Sequence, residues 1–278
     1  MRIALAQILS GTDPAANLEL VDRHTRQAAE AGASLVLFPE ATMCRFGVPL
    51  APVAEPLDGR WADGLRAIAE QSGVTAVAGM FRPADGDADH RVTNTLLAAG
   101  RGVDTHYDKI HLYDAFGFSE SKTVAPGREP VVITVDGDAG PVTVGLTLCY
   151  DIRFPELYIA LADLGAEVIT AHASWGAGPG KLDQWNLLAR ARAIDTSSVV
   201  AAVGQAYPGD EIAAAGPTGV GGSLVASALG EVLVSAGPDP QLLIHDVDLE
   251  AARKARTTVA VMSNRSDFTH PGKAQSLR

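Results

Sequence analysis

The segment Ser34-Leu35-Val36-Leu37-Phe38-Pro39-Glu40 is the first strong indication of the fold class. Its nearly continuous apolar run is typical of a strand that is covered on both faces, as in a parallel sheet. A strand-like segment at 3–8 and a helical spacing at 17–31 come before it, so the three segments predict a β-α-β unit. Glu40 then lies at the carboxyl end of the second strand, where parallel α/β sheets place their ligand sites.

The same alternation of strands and helices continues along the chain. We predict helices at 61–71, 155–164 and 182–196, strands at 74–81, 142–148, 168–171, 199–203 and 242–247, and hairpins that join 93–99 to 103–107 and 223–227 to 231–235. No linker rich in proline, serine or charge interrupts this pattern. It therefore predicts one α/β domain over 1–262. The tail at 263–278 is either disordered or packed on a partner subunit, and the Gly-, Ala- and Pro-rich segment at 207–222 is either a mobile loop near a site or a surface insertion.

The composition restricts the class of protein. The 278 residues are 47% hydrophobic and 20% charged, which is the balance of a globular enzyme, and the formal net charge of -11 argues against nucleic acid or an anionic membrane as a partner. No apolar run approaches the roughly 20 residues that cross a bilayer, and the N-terminus lacks the features of a signal peptide. Cys44 and Cys149 are the only cysteines, so a disulfide framework is not expected and a cytoplasmic location is.

Glu40, Lys109 and Cys149 each follow a predicted strand or hairpin. Acyl transfer uses these residue types: a carboxylate takes a proton, a thiol attacks, and an ammonium stabilises developing negative charge. Each has an ordinary alternative, because Glu40 could cap a loop, Lys109 could lie on the surface and Cys149 could be a small buried residue. Several polar side chains directly after Cys149 favour a pocket over a plain core, and the start of the following helix would favour the thiolate.

Three segments then resemble the signature segments of one family. They occur in the family's order and at comparable spacing, and they are Leu37-Phe38-Pro39-Glu40, Tyr107-Asp108-Lys109-Ile110-His111-Leu112 and Leu148-Cys149-Tyr150-Asp151-Ile152-Arg153-Phe154-Pro155-Glu156. The family is the nitrilase superfamily, and the resemblance extends through 118–121, 190–194 and 221–230. It is strongest to the Nit-type branch, which contains omega-amidases and deaminated-glutathione amidases.

The resemblance implies a fold and a catalytic mechanism. The fold would be a four-layer α-β-β-α sandwich that pairs through helices into a homodimer or a higher homo-oligomer. Glu40 would be the general base, Lys109 the oxyanion partner and Cys149 a nucleophile that forms a thioester, with Glu120 supporting Lys109 and the backbone N–H of Tyr150 also holding the oxyanion. Neither a metal nor an organic cofactor would be needed.

The resemblance indicates the substrate class less directly than it indicates the fold and the mechanism. The resemblance favours a small amide, such as an omega-amide or a deaminated-glutathione-like compound, while N-carbamoyl amines and nitriles are handled by the same triad. Arg153 either pairs with a substrate carboxylate or forms an ion pair with Glu156 or Asp151. Trp175 lies in a segment that departs from the Pro-Ala-Ala-Phe-like sequence common in the branch, and it would reshape the acyl pocket.

Three other functions are compatible with parts of the sequence. A papain-like pair would use His172 as the base for Cys149, and a metallohydrolase would use His106 and His111, although no metal-binding motif contains them. A catalytically silent interaction module is the non-enzymatic alternative. Cys44 either faces the pocket or packs in a loop.

Overall fold

Two six-stranded sheets form the centre of the structure. The computed structural model describes residues 1–115, 117–213 and 218–266. The strands are β1 (Arg2–Gln7), β2 (Leu35–Leu37), β3 (Thr75–Pro83), β4 (Val92–Gly100), β5 (Val103–Asp108), β6 (Asp114–Ala115), β7 (Phe118–Ser119), β8 (Val131–Gly137), β9 (Gly140–Leu148), β10 (Val168–Ala173), β11 (Val199–Gly204), β12 (Leu224–Ala226), β13 (Val232–Ser235) and β14 (Gln241–Asp246). The α-helices are α1 (Pro14–Glu30), α2 (Arg60–Ser72), α3 (Pro155–Asp163), α4 (Lys181–Thr196), α5 (Asp210–Ala213) and α6 (Leu249–Val259), and 3₁₀ helices lie at Glu120–Lys122 and Cys149–Arg153.

The two sheets have matching topologies. The first has the order β14-β1-β2-β3-β4-β5 and the second has the order β13-β12-β11-β10-β9-β8. In each sheet the three central strands, β1-β2-β3 and β9-β10-β11, are parallel, and antiparallel strands flank them. The carboxyl ends of each parallel trio therefore lie along one edge of its sheet.

Three separate hydrophobic clusters define the layers. One fills the space between the sheets, the second packs α1 and α2 on the first sheet, and the third packs α3 and α4 on the second sheet. In β2, Leu35 and Leu37 belong to the cluster between the sheets, whereas Val36 and the adjoining Phe38 belong to the cluster under the helices. Both faces of this strand are covered, which explains its continuous apolar sequence. The prediction of a four-layer α-β-β-α sandwich is confirmed.

Strand β8 and helix α6 are the longest elements that were not predicted from the sequence. Strand β8 pairs with β9 at the edge of the second sheet and buries only Ile133 and Val135, so its apolar signal is short. Helix α6 buries only the small side chains Ala252 and Ala255, so few large apolar residues mark it in the sequence, although the Asp248 side chain caps it by accepting a hydrogen bond from Ala251 N. Elements that bury so few large apolar side chains give a weak signal in the sequence.

The two uncertain segments are only partly described. Within 207–222, helix α5 is present and residues 214–217 lie outside the described residues. Of the tail at 263–278, residues 267–278 also lie outside them. In the part of the chain that the structure describes, no helix is both long enough and apolar enough to span a membrane.

Candidate active site

Four side chains from separate elements meet where β2 and β9 end. Glu40 follows β2, Lys109 comes directly after β5, Cys149 comes directly after β9, and Glu120 opens a 3₁₀ helix. The Lys109 ammonium nitrogen Nζ lies 2.9 Å from Glu40 Oε1 and 2.9 Å from Glu120 Oε2. The structure therefore brings together all four residues that the sequence predicted to be catalytic.

Lys109 is a buried cation held between two buried carboxylates. Its side chain is 2% exposed, and those of Glu40 and Glu120 are 1% and 4% exposed. Burial by itself would lower the pKa of Lys109, but the carboxylates of Glu40 and Glu120 outweigh it and raise that pKa well above its usual value. The ammonium therefore stays charged beside the cavity.

Neighbouring polar groups hold the Glu40 carboxylate in a single orientation. Asn94 Nδ2 donates to Glu40 Oε1 at 2.9 Å, and the Ser174 backbone N–H donates to Oε2 at 2.9 Å. The Glu40 carbonyl oxygen accepts hydrogen bonds from Ser174 Oγ at 3.2 Å and from Gln205 Nε2 at 3.1 Å. Such bonds set the direction from which Glu40 can receive a proton.

Sequence analysis missed these three supporting residues. Ser174 follows β10 and Gln205 follows β11, so the rule that picked out Glu40 and Cys149 applies to them also. Asn94 lies inside β4 and is paired with Phe81, and a position inside a strand carries no comparable signal.

Gly79 makes room for the turn that carries Glu40. A Cβ atom at this position of β3 would lie 2.7 Å from Ala41 N and 2.9 Å from the Pro39 carbonyl oxygen. Those contacts are shorter than van der Waals distances, and both involve backbone that cannot easily move. Glycine at 79 therefore allows Glu40 to approach the sheet.

Cys149 has a strained backbone and a protonated thiol. Its φ is +45°, in the left-handed region, which for a non-glycine residue costs roughly 1–3 kcal/mol. Burial and the Glu40 carboxylate raise the pKa of the thiol well above its usual value, although Lys109 acts in the opposite direction. The expectation that a helix start would favour the thiolate was therefore wrong, because burial beside a carboxylate has the larger effect. Cys149 must lose its proton to a base as it attacks.

A cavity of about 280 Å³ opens beside these groups. Its walls include Tyr150, Arg153 and Trp175, the residues proposed from the sequence to contact substrate, together with Lys181. Aromatic rings and cations thus surround a space that leads to Cys149. The cavity is large enough for a small organic molecule.

Arg153 forms no ion pair with Glu156 or Asp151 within 4 Å, although both residues are described. Its guanidinium instead donates to Gln184 Oε1 at 2.8 Å and lies 5.1 Å from the centroid of the Trp175 ring. A glutamine amide does not neutralise the guanidinium. The positive charge therefore remains available at the cavity wall.

Cys44 is a packed loop residue. It is fully buried, and its sulfur lies 3.6 Å from the carbonyl oxygens of both Thr12 and Arg45. It is absent from the cavity wall. Of the two alternatives for Cys44, packing in a loop is therefore confirmed and facing the pocket is not.

The histidines do not assemble a competing site. His106 Nε2 lies 3.9 Å from Asp108, and His111 stacks on Phe154 with Nδ1 2.8 Å from Asp151 Oδ1. Among the described residues, no group of three or more His, Cys, Asp or Glu side chains could hold a metal ion. The structure provides no support for a metallohydrolase.

His172 is not placed to act as the base for Cys149. It is fully buried, with Nδ1 2.5 Å from the Phe38 carbonyl oxygen and Nε2 2.9 Å from Thr170 Oγ1. Both ring nitrogens are engaged, and burial lowers the pKa of His172 to about 4. The papain-like alternative is therefore wrong, and His172 joins the two sheets beneath the site.

The buried His172 makes stability depend on pH. Between its folded pKa of about 4 and its unfolded value of about 6.5, only the unfolded chain binds the proton. Its contribution is complete above pH 6.5 and is lost as the pH falls toward 4, by about 3 kcal/mol in total. We expect His172→Gln to lose about 2 kcal/mol less stability between pH 7.5 and 5 than the parent, measured by urea unfolding.

The exposed His106 provides the matched control. His106→Gln makes the same chemical change at a ring that is 39% exposed, so comparing it with His172→Gln isolates the effect of the buried position. Equal losses of stability in the parent and in His172→Gln would contradict the assignment of a neutral, buried imidazole.

Comparison with known proteins places this site in context. The family model described as carbon-nitrogen hydrolase matches residues 2–257. The chain is 64% identical over 285 residues to Hydrolase Rv0480c of Mycobacterium tuberculosis, with 99% of each chain covered. It is 33% identical to the deaminated glutathione amidase of Escherichia coli O157:H7, covering 90% of this chain and 91% of that one. The structure of an amidase from Nesterenkonia sp. AN1, in which acrylamide has added to the active-site cysteine, aligns with a TM-score of 0.75 at 26% identity over 94% of this chain and 98% of that one.

Proposed function

Because the chain belongs to the carbon-nitrogen hydrolase family, we propose that it hydrolyses a small amide with Cys149 as nucleophile, Glu40 as general base and Lys109 as oxyanion partner. The observation that carries this proposal is the convergence of a protonated thiol and a charged ammonium on one buried carboxylate beside a cavity. The active-site cysteine in the Nesterenkonia amidase supports the role of Cys149.

The reaction proceeds in two halves. Cys149 Sγ attacks the amide carbon while its proton passes to Glu40, and Lys109 with the Tyr150 N–H stabilises the oxyanion. The tetrahedral intermediate collapses as Glu40 returns the proton to the departing nitrogen, so an amine or ammonia leaves and a thioester remains. Water then attacks the thioester and gives its proton to Glu40. Collapse of this second intermediate releases the carboxylic acid and regenerates the thiol.

Glu120 supports the charge of Lys109. Its carboxylate oxygens lie 3.0 and 2.9 Å from Lys109 Nζ, and Oε2 also accepts a hydrogen bond from Tyr113 N at 2.6 Å. Glu120 therefore fixes the position of the ammonium and leaves Glu40 to exchange protons with Cys149 and the substrate.

The proposed substrate carries a carboxylate as well as the amide. Arg153 and Lys181 line the same cavity and lie 5.1 and 6.0 Å from the centroid of the Trp175 ring. Two cations beside one aromatic wall favour an anion in a protein whose formal net charge is -11. This supports an omega-amide or a deaminated-glutathione-like compound as the substrate. The relative in Escherichia coli is named for the second of these substrates.

The test is a substrate panel with detection of the covalent intermediate. Ammonia or amine release is measured on omega-amides, deaminated glutathione, neutral aliphatic amides, N-carbamoyl amines and nitriles, and the acyl adduct on Cys149 is trapped and identified by mass. We expect turnover of the carboxylate-bearing amides with an adduct on Cys149. Turnover of nitriles or N-carbamoyl amines alone would overturn the substrate class, and an adduct on another residue would overturn the mechanism.

Removing the Arg153 charge tests the carboxylate directly. We expect Arg153→Gln to raise KM about 10- to 100-fold for a carboxylate-bearing amide, because a charge-assisted hydrogen bond contributes roughly 1.5–3 kcal/mol. A neutral amide of matched size should be hydrolysed with little change. The control is Arg101→Gln, which removes an exposed arginine paired with Asp136. Equal loss on the charged and neutral amides would argue against carboxylate recognition.

The proposal extends to assembly and location. We expect a homodimer or a higher homo-oligomer, since the helices of the second sheet expose Leu164, Leu187 and Ile194, with Leu187 65% exposed. Sedimentation analysis tests this, and a monomer at micromolar concentration would contradict it. A reducing cytoplasm suits an enzyme whose nucleophile has to remain a free thiol.

A further inference from the structure

One buried carboxylate contacts both loops that carry the proposed nucleophile and cation. Asp151 is fully buried in the 3₁₀ helix that begins at Cys149. Its Oδ2 accepts hydrogen bonds from Tyr107 Oη at 2.6 Å and from Leu148 N at 2.9 Å. Its Oδ1 accepts one from His111 N at 3.0 Å and lies 2.8 Å from His111 Nδ1.

These partners flank the two reacting groups in sequence. Tyr107 and His111 stand two residues before and two residues after Lys109, and Leu148 directly precedes Cys149. We infer that Asp151 is a positioning residue that sets the distance between the Lys109 ammonium and the Cys149 thiol. This inference rests on the proposed function and adds to it a residue that does not touch the substrate.

Asp151 acts as an acceptor of several hydrogen bonds and not as one member of a lysine or arginine ion pair. Among the described residues, no lysine or arginine nitrogen lies within 4 Å of the Asp151 oxygens, and His111 is the neighbour that could be charged. A buried carboxylate is costly unless donors satisfy it, and an ionised one can accept about four hydrogen bonds. Burial and Asp151 raise the pKa of Tyr107 well above its usual value, so the phenol keeps its proton and donates it. Asp151 is thus fully satisfied by groups from both loops.

The bond to Leu148 also bears on the strained turn at Cys149. The left-handed φ of Cys149 persists only where surrounding contacts fix the backbone on both sides. Asp151 lies after Cys149 in the chain and bonds the amide before it. Its loss would let the turn relax and move Sγ away from Glu40 and Lys109.

The test is Asp151→Asn, which keeps the shape and replaces one acceptor oxygen with an NH₂ group. We expect kcat to fall about 100-fold, since displacement of a reacting group by about 1 Å has an effect of that size. KM should stay within about threefold, because the cavity wall is unchanged. The rate at which iodoacetamide alkylates Cys149 should fall about tenfold, because Sγ moves away from its base. This rate is measured from the masses of the peptides.

Cys44 supplies an internal control for unfolding. It is fully buried, so its alkylation rate reports general opening of the protein, and that rate should not change in Asp151→Asn. The exposed Asp136, paired with Arg101, gives the matched control variant Asp136→Asn, which should behave as the parent does. Tyr107→Phe removes a single partner of Asp151 and should lower kcat by less, with a non-additive effect in the double variant.

Two results would overturn the inference. One is an unchanged kcat and Cys149 alkylation rate in both Asp151→Asn and Tyr107→Phe. The other is a loss of kcat that matches the loss of folded protein, with faster alkylation of Cys44, which would mean a merely structural role. Alkylation requires no substrate, so it tests Asp151 even if the parent fails to hydrolyse any amide and the proposed function is rejected.

Discussion

Replacing Cys149 with alanine is expected to lower amide hydrolysis on the order of 10⁴-fold or more, because no thioester can form. Glu40 and Lys109 keep their contacts in this variant, so the loss is specific to the nucleophile. Alanine also removes the thiol without adding volume, and the turn should keep its conformation. The measurements are product release on the best substrate and intact mass after quenching, with the adduct absent from the variant.

The second cysteine gives the matched control for this experiment. Cys44→Ala removes a thiol that lies outside the cavity wall and should retain most of the activity, at a modest cost in stability. Equal product release by Cys149→Ala and the parent would show that the assigned nucleophile is wrong. Loss of activity in both variants would instead indicate a general effect on the fold.

Replacing Lys109 with methionine is expected to lower both activity and stability. Losing an oxyanion partner typically costs about 10²- to 10³-fold in kcat. Breaking a buried charge pair from one side destabilises a protein by about 3–5 kcal/mol, and here Glu40 and Glu120 would be left buried without their shared cation. The measurements are kcat for the best substrate and urea unfolding of the parent and the variant.

A matched lysine variant separates these effects from the general loss of a lysine. Lys254→Met on helix α6 is the control, since that lysine is exposed. Unchanged stability together with unchanged kcat in Lys109→Met would contradict both roles of the ammonium.

Much of the proposed site was predictable because its residues follow a simple rule. Glu40 and Cys149 lie just beyond the carboxyl ends of β2 and β9, and both strands are marked in the sequence by apolar residues. The same rule would have found Ser174. The roles of Asn94 and Asp151 could not be assigned in this way, since they depend on hydrogen-bond partners that only the folded chain brings near: Asn94 donates to Glu40, and Asp151 accepts from Tyr107.

The protonation state of Cys149 and the role of His172 depend on how deeply each residue is buried and on its neighbours, which the sequence does not show. The position of Cys149 at the start of a helix suggested a thiolate, yet burial beside Glu40 raises its pKa. His172 lies near the end of β10, the strand beside the one that leads to Cys149, and could have been its base, but its ring nitrogens contact Phe38 and Thr170. The direction of each effect was set by the degree of burial and by the nearest charge.

The amino-acid sequence alone specifies the alternation of strands and helices, the strands buried on both faces and the residue types available at strand ends. These are local properties, since side-chain periodicity within a segment shows which of its faces are buried. Two sets of contacts appear only in the folded protein: Lys109 lies between Glu40 and Glu120, and Asp151 joins the two loops. Those contacts connect residues up to 69 positions apart. Their geometry arises from the packing of one sheet on the other, which no single segment specifies.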